Sequence, residues 1–366
     1  MVLLRMIDLL DRRRFKPLFL ATGEGPLVSA LRERDVEIIY ANVYEVSPRA
    51  VLDSARAVWR QRALLRRHAI DLLHLNQFGW NDDLVVAAWL SGVPVILHVH
   101  NPQHVAPRNL NRLVAKRVVV VSESLKESIT DFSRIRHKCD VLYNPVEIDR
   151  YSAGHSIRAA LGLRSDDFVI GTIAQMQHHK GIDILLETAR RVLAVRDDVV
   201  FLHVGPTGHN EAEFAAMIKE RAGDSAFRGR VMFLGSRTDI PDVLASIDVL
   251  FHPARREPFG LVVVEAMAAG RPVVCSRAGG LAEIVNTSEI GCALDGDAPE
   301  RYATALLALL AQPERARAMG EEGRRSLNGR FDSATSAARL DTLYRLCVGG
   351  GEFAAVRATE PSQPTI

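Results

Sequence analysis

EPFGLVVVEAMAAGRPVVCS, residues 257–276, contains a turn, a helix, a stop signal and a strand in succession. Gly260 closes a Pro-Phe-Gly turn and stands at the start of the helical run LVVVEAMAA. Gly270 is placed to cap the end of that run, and Pro272 lies beyond it, where a helix cannot continue. The β-branched run PVVCS that follows reads as a buried strand. A helix feeding a short apolar strand is one half of a parallel crossover, and the rest of the chain repeats it. The stretch also raises a chemical question, because Glu265 sits inside the apolar helix, eight positions after Glu257.

Outward from this unit, short β-branched runs alternate with longer helical patterns. Strands are expected at 17–21, 36–40, 71–75, 93–100, 117–121 and 140–143, and again at 168–174, 199–205, 230–235, 248–253, 272–276 and 291–294. Between the two sets lies YNPVEIDRYSAG, whose Asn144-Pro145 and polar sequence mark a hinge. The expected fold class is therefore α/β, with two doubly wound Rossmann-like domains, 1–148 and 149–345, facing each other across a cleft. The tail, 346–366, has few large apolar residues and is expected to be disordered. In such sheets ligands gather at the C-terminal ends of the strands.

Composition narrows the function classes. With 366 residues, 48% hydrophobic and 25% charged, this is the composition of an ordinary globular chain. No apolar run reaches the roughly 20 residues of a membrane span, and no signal-peptide pattern opens the sequence, so a cytoplasmic location is expected, with a peripheral position on the inner membrane face as an open alternative. The four cysteines, Cys139, Cys275, Cys292 and Cys347, are dispersed and form no CxxC, which suggests neither a zinc site nor a disulfide framework. Residues 1–148 hold 21 Lys and Arg against 16 Asp and Glu. Much of that excess lies in RAVLDSARAVWRQRALLRRH, where Arg49, Arg56, Arg60 and Arg67 recur at spacings of seven, four and seven beside Trp59. A solvated helix face, an anionic membrane surface and a phosphate-bearing acceptor all fit that pattern. No nucleic-acid partner is expected.

The two glutamates have a common physical reading. The first turn of the helix after Gly260 presents unpaired N–H groups and a partial positive charge, which favour phosphate oxygens near Gly260 and Leu261. Glu265 lies about 7 Å farther along the axis, near the span from a nucleotide's diphosphate to its ribose. A carboxylate there can accept from both ribose hydroxyls, and Glu257 would then face the hydroxyls of a transferred sugar. From spacing alone a second reading stays open, in which Glu265 pairs with a core arginine and Glu257 is a surface residue.

The stretch resembles the E-x7-E segment of retaining glycosyltransferases of the GT-B fold, glycosyltransferase family 4. GTIAQMQHHKGIDILLETA, LHVGPTG, VMFLGSRTDIPDVLASIDVLFHP, PVVCSRAGGLAEIV, VVVVSESLKESI and VLYNPVEIDRY resemble other segments of that family, in its order. The resemblance spans about residues 1–345. It implies transfer of a sugar from a nucleotide-sugar to a glycan or lipid-linked acceptor, in polysaccharide or glycolipid synthesis, with retention of configuration and no metal or other cofactor. It implies that Lys180 neutralises the donor diphosphate, that the Gly260 and Leu261 amides bind phosphate or sugar oxygens, that Glu257 holds the sugar and Glu265 the ribose. Gly205, Gly235, Ser236, Arg237 and Phe259 complete the donor side, with backbone near Gly235 and Ser236 reading the base.

His100, at the mouth of VPVILHVHNP, matches the family's histidine beside the donor sugar and joins Lys180 and Glu257 as a catalytic residue. A histidine capped by Asn101 is the structural alternative, and a metal site from His98, His100 and His104 is not expected. One departure is Gln175, where the family usually has an arginine paired with the lysine; Arg237 or Arg255 could replace its charge. A second is the start. MVLLRMIDLLDRRRFKP reads as a helix with a polar stripe of Arg5, Asp8 and Arg12, whereas the family begins with a strand and a glycine-rich loop. The first domain is therefore expected to lack its first strand, and we expect the native protein to carry about 15 to 25 further residues ahead of Met1. These departures favour one alternative, a catalytically silent nucleotide-binding protein; a second, a nucleotide-sugar epimerase, needs carboxylates poised for proton abstraction and fits these motifs less well. A nicotinamide dehydrogenase is disfavoured, since no GxGxxG follows a strand.

Overall fold

The computed structural model describes residues 2–47, 49–76, 82–101, 114–129 and 135–349. The tail from 350 onward, and with it most of the segment expected to be disordered, lies outside the described residues, as does His104. The first half runs α1 (Val2–Asp8), β1 (Leu18–Ala21), α2 (Pro26–Arg32), β2 (Glu37–Tyr40), α3 (Val51–Arg67), β3 (Leu73–Leu75), α4 (Asp82–Leu90), β4 (Val95–Val99), β5 (Arg117–Val120), α5 (Glu123–Ile129) and β6 (Cys139–Val141). The hinge carries α6 (Ile148–Ser152). The second half runs β7 (Phe168–Ile173), α7 (Ile182–Leu193), β8 (Val199–Val204), α8 (Ala212–Ala222), β9 (Val231–Phe233), α9 (Ile240–Ser246), β10 (Val249–His252), α10 (Leu261–Ala268), β11 (Val273–Ser276), α11 (Leu281–Ile284), β12 (Cys292–Leu294), α12 (Pro299–Leu310), α13 (Pro313–Ser326) and α14 (Ser333–Val348). Every strand expected from the sequence is present.

In the second half all six strands are parallel, in the order β12-β11-β10-β7-β8-β9. The chain moves outward from β7 on one side, then returns to lay β10 against the other, so the ends of β7 and β10 flank the reversal where doubly wound sheets bind ligands. Helices cover both faces, which is why β8 and β10 are apolar almost throughout and buried at every position.

The first half divides. Strands β3-β4-β5-β6 form a four-stranded parallel sheet, and β1-β2 a separate parallel pair. Among the described residues no strand joins β1 to β3. All residues of both strands instead line a cavity of about 2010 Å³, which continues to the interdomain cleft. This is the gap expected from the opening of the sequence.

The helix expected from the opening residues ends at Asp8, so Arg12 lies in the turn beyond α1, and the expected polar stripe differs in a further residue. Asp8 and Arg12 are exposed, but Arg5 is only 5% exposed. It turns inward because its charge is met by a carboxylate of the second half, described below. Helix α14 crosses the other way: Leu340, Leu343 and Cys347 pack with Met6, Ile96, Val119 and Leu142 of the first half. The backbone leading into it is tied to the hinge, where Val146 N–H donates to Phe331 O at 2.8 Å.

A carboxylate, a lysine and a helix terminus at the cleft

The site begins with close backbone approaches that only glycine permits. Gly181 has φ 71°, and a Cβ there would lie 2.1 Å from Pro253 O, so the loop carrying Lys180 lies directly on the chain leaving β10. Gly260 has φ 109°, and a Cβ would meet Leu281 Cδ2 at 2.5 Å. Behind the turn, Gly280 N–H donates to Glu257 O at 3.0 Å, and a Cβ on Gly279 would stand 2.2 Å from that same oxygen. The Ala-Gly-Gly segment after β11 thus clamps the Glu-Pro-Phe-Gly turn from behind.

These contacts bring Lys180 and Glu257 together across 77 positions of sequence. Lys180 Nζ lies 2.8 Å from Glu257 Oε2, and His252 Nε2, at the end of β10, lies 3.0 Å from the same oxygen. Burial raises the Glu257 carboxyl, but the hydrogen bond from His252 and the Lys180 charge outweigh it and hold the group down at about 2. Glu257 is therefore ionised at neutral pH. Beside it, α10 presents its first turn, and helical geometry leaves the N–H groups of Leu261 and Val262 without intrahelical acceptors. His252 was not singled out from sequence, although the rule that strand ends carry function applies to it directly.

His100, Glu257, Phe259, Gly260 and Leu261 line the cavity of about 2010 Å³. On the first-half wall, His100 Nε2 lies 2.9 Å from Asn76 Oδ1, and its ring stacks on His98 with centroids 4.1 Å apart. His98 Nδ1 lies 3.3 Å from His74 Nε2, whose Nδ1 is 2.7 Å from the Tyr344 hydroxyl. Burial pushes His74 down to about 4 and His98 well below its usual range, so both are neutral. Among the described residues no three His, Cys, Asp or Glu side chains are grouped as metal ligands would be.

The other donor-side residues sit elsewhere. Gly205 N–H donates to Gly235 O at 2.8 Å, tying the ends of β8 and β9, and a Cβ on Gly205 would lie 1.9 Å from Ala174 O. Gln175, Gly205, Gly235, Ser236 and Arg237 thus gather at the ends of β7, β8 and β9, beyond the cavity wall. Gln175 is exposed. The two arginines considered as substitutes for its missing charge are engaged: Arg237 pairs with Asp239, with oxygens at 2.9 and 2.5 Å. Arg255 pairs with Asp183 at 2.7 and 2.8 Å and with Asp297 at 2.5 Å, and those hydrogen bonds raise its affinity for its proton further. Phe259 buries its ring against Tyr143 and Phe331. It serves the turn by packing.

Glu265 is where sequence left two readings. Its Oε1 accepts from Arg5 at 2.6 Å and from the Tyr151 hydroxyl at 2.6 Å, while Arg5 also reaches Pro145 O at 3.1 Å. The carboxylate pairs with a buried arginine, which comes from α1, 260 positions away. First half, hinge and second half therefore meet on one oxygen. Nearby, Glu283 of α11 accepts from Glu123 and Ser124 N–H, at 3.0 and 2.7 Å, capping α5 across the same boundary.

The family model described as Glycosyltransferase Family 4 matches residues 1–150, and that described as Glycosyl transferases group 1 matches residues 155–326. A D-inositol 3-phosphate glycosyltransferase of Rhodococcus jostii is 31% identical over 315 residues, 77% of this chain and 68% of that protein. The chain belongs to the family 4 glycosyltransferases. This glycosyltransferase is also 28% identical over 189 residues, 51% of the chain and 54% of the relative, to the lipopolysaccharide core biosynthesis mannosyltransferase LpsB of Rhizobium meliloti. It spans about two thirds of the length of the Rhodococcus protein. Among solved structures, a glycosyltransferase of Rickettsia africae superposes with TM-score 0.82 at 18% identity, covering 96% of this chain and 94% of the other. Anabaena HepE in complex with UDP-glucose superposes with TM-score 0.79 at 23% identity, covering 94% and 95%. These likenesses establish the two-domain GT-B fold of the glycosyltransferase.

Proposed function

We propose that this glycosyltransferase moves a sugar from a nucleotide-sugar to a hydroxyl of a glycan or lipid-linked acceptor. The observation that carries the reading is the Lys180–Glu257 pair, held 2.8 Å apart beside the first turn of α10, with Glu257 lining the same cavity as His100. When the acceptor oxygen bonds to the anomeric carbon, the bond from that carbon to the diphosphate breaks and negative charge grows on the departing phosphate. A lysine and fixed N–H groups stabilise that charge without reorganising water. Lys180 would turn from Glu257 towards the diphosphate, and Glu257 would accept from the sugar hydroxyls.

Among the described residues we assign no pair of carboxylates as nucleophile and acid. A front-face route needs neither, because the departing phosphate oxygen takes the acceptor's proton, and retention follows. His100 would orient the sugar or acceptor hydroxyl. Glu265 would share its carboxylate between Arg5 and the ribose. HepE was solved with UDP-glucose, so a uridine diphosphate sugar is the first donor class to try.

Gln175 and the engaged state of Arg237 and Arg255 support a second reading, a catalytically silent nucleotide binder. Incubation with a panel of nucleotide-sugars separates the two. Release of nucleoside diphosphate, increased by an acceptor, is expected of the transferase; binding without release from any donor would leave the silent reading.

A further inference from the structure

Helix α3 spans 17 residues and buries only Ala57, Val58, Gln61 and Leu65, the stripe that packs on α4. Its outer face is unusual in two respects. First, large apolar side chains stand in solvent: Val51 is 65% exposed, Leu52 73% and Trp59 61%. Trp89 and Leu90, at the end of α4, add 63% and 46%. Second, the charge around them has one sign. Arg49, Arg56, Arg60, Arg62, Arg66 and Arg67 fall within residues 49–67, against the single acid Asp53, which Arg56 engages at 2.9 Å. Leu52, Arg56, Trp59, Ala63 and Arg67 follow one another at steps of four, three, four and four, and Arg60 stands beside Trp59, so apolar and cationic side chains share a face. The Arg62 guanidinium lies 5.0 Å from the centroid of the Trp59 ring, which joins the two kinds of group directly.

A face designed only for water has no use for exposed leucine and tryptophan, and a face designed for another protein's core has no use for six arginines. An anionic bilayer surface uses both. Arginines meet headgroup phosphates, tryptophan lies at the depth where apolar and polar regions meet, and leucine reaches the acyl boundary. No helix among the described residues is long and apolar enough to cross a membrane, so attachment would be along a surface.

We propose that the outer face of α3 docks this protein on an anionic lipid bilayer. The proposal stands independently of which sugar is transferred. Cosedimentation of the full chain with vesicles tests it, using phosphatidylcholine alone and phosphatidylcholine with phosphatidylglycerol. Retention is expected on the anionic vesicles, little on the neutral ones, and release by high salt. Each of R56Q, R60Q and R67Q should lower partitioning about fivefold. W59S should lower it at every salt concentration, with unchanged melting temperature showing that the variant is folded. Quenching of tryptophan emission by brominated phosphatidylglycerol should fall in W59F. Equal retention on neutral and anionic vesicles, no retention on either, or anionic retention that these variants leave unchanged would each overturn the proposal.

Discussion

Replacing Arg5 by methionine tests whether one oxygen holds the two halves and the hinge together. The side chain is 5% exposed, its partner Glu265 12%, and their contact is 2.6 Å. Methionine keeps the apolar bulk of the stem but leaves the buried Glu265 carboxyl without its arginine, with the Tyr151 hydroxyl still donating to it. Breaking one side of such a pair costs about 3 to 5 kcal/mol, most of it the exposed need of the remaining charge. At roughly 2 cal/mol/K of unfolding entropy per residue, that lowers the melting temperature by about 5 °C if the chain unfolds as one unit. Glu265→Gln added to the same variant removes the stranded charge and should recover about 2 kcal/mol, so the two changes are far from additive. Urea titration and calorimetry of the two single variants and the double variant measure this. A loss below about 1 kcal/mol for the arginine change, with additive effects in the double variant, would show that the pair does not form in solution.

Other outcomes follow from the site. Glu257 is held at about 2 against an ordinary 4.5, so its contribution is complete above about pH 4.5 and fades as pH falls towards 2. It amounts to about 3 kcal/mol, and Glu257→Gln should flatten acid stability across that window, read by urea midpoints at stepped pH. The same variant frees Lys180, so free UDP should bind as well or better while a UDP-sugar binds worse; parallel losses for both ligands would separate Glu257 from the sugar. Gln175→Arg should tighten diphosphate binding and make it more salt-sensitive, and an unchanged Kd across a salt series would place position 175 away from the phosphates. Gly279→Ala forces a Cβ to 2.2 Å from Glu257 O at φ 55°. It should cost roughly 2 kcal/mol and weaken UDP binding together, since the strained backbone carries the turn.

The twelve strands were legible because a parallel sheet covered on both faces writes itself as separate apolar runs, as in VVFLHV and VLFH. Gly260 is legible as a turn signal and Gly181 as part of the lysine-glycine segment, but the reason each must be glycine is not. Each faces a segment far away in sequence, Pro253 in one case and Leu281 in the other. Arg5 reads as part of a polar stripe, because helical periodicity reports a face and not the charge awaiting it 260 positions on. His252 could have been found at its strand end. The neutral His74–His98 contact could not, since it depends on the register of β3 against β4, which places His74 opposite Ile96.

The central claim is that Lys180, Glu257 and the first turn of α10 form a nucleotide-sugar site. Its most direct test is calorimetric titration of UDP into the natural chain and into the variant carrying Lys180→Met with Glu257→Gln, which removes both charges of the pair and strands neither. The account predicts binding to the natural chain, an affinity at least about tenfold lower in the variant, and a weaker dependence on salt once the lysine is gone. Equal affinity and equal salt dependence in the two proteins would contradict it.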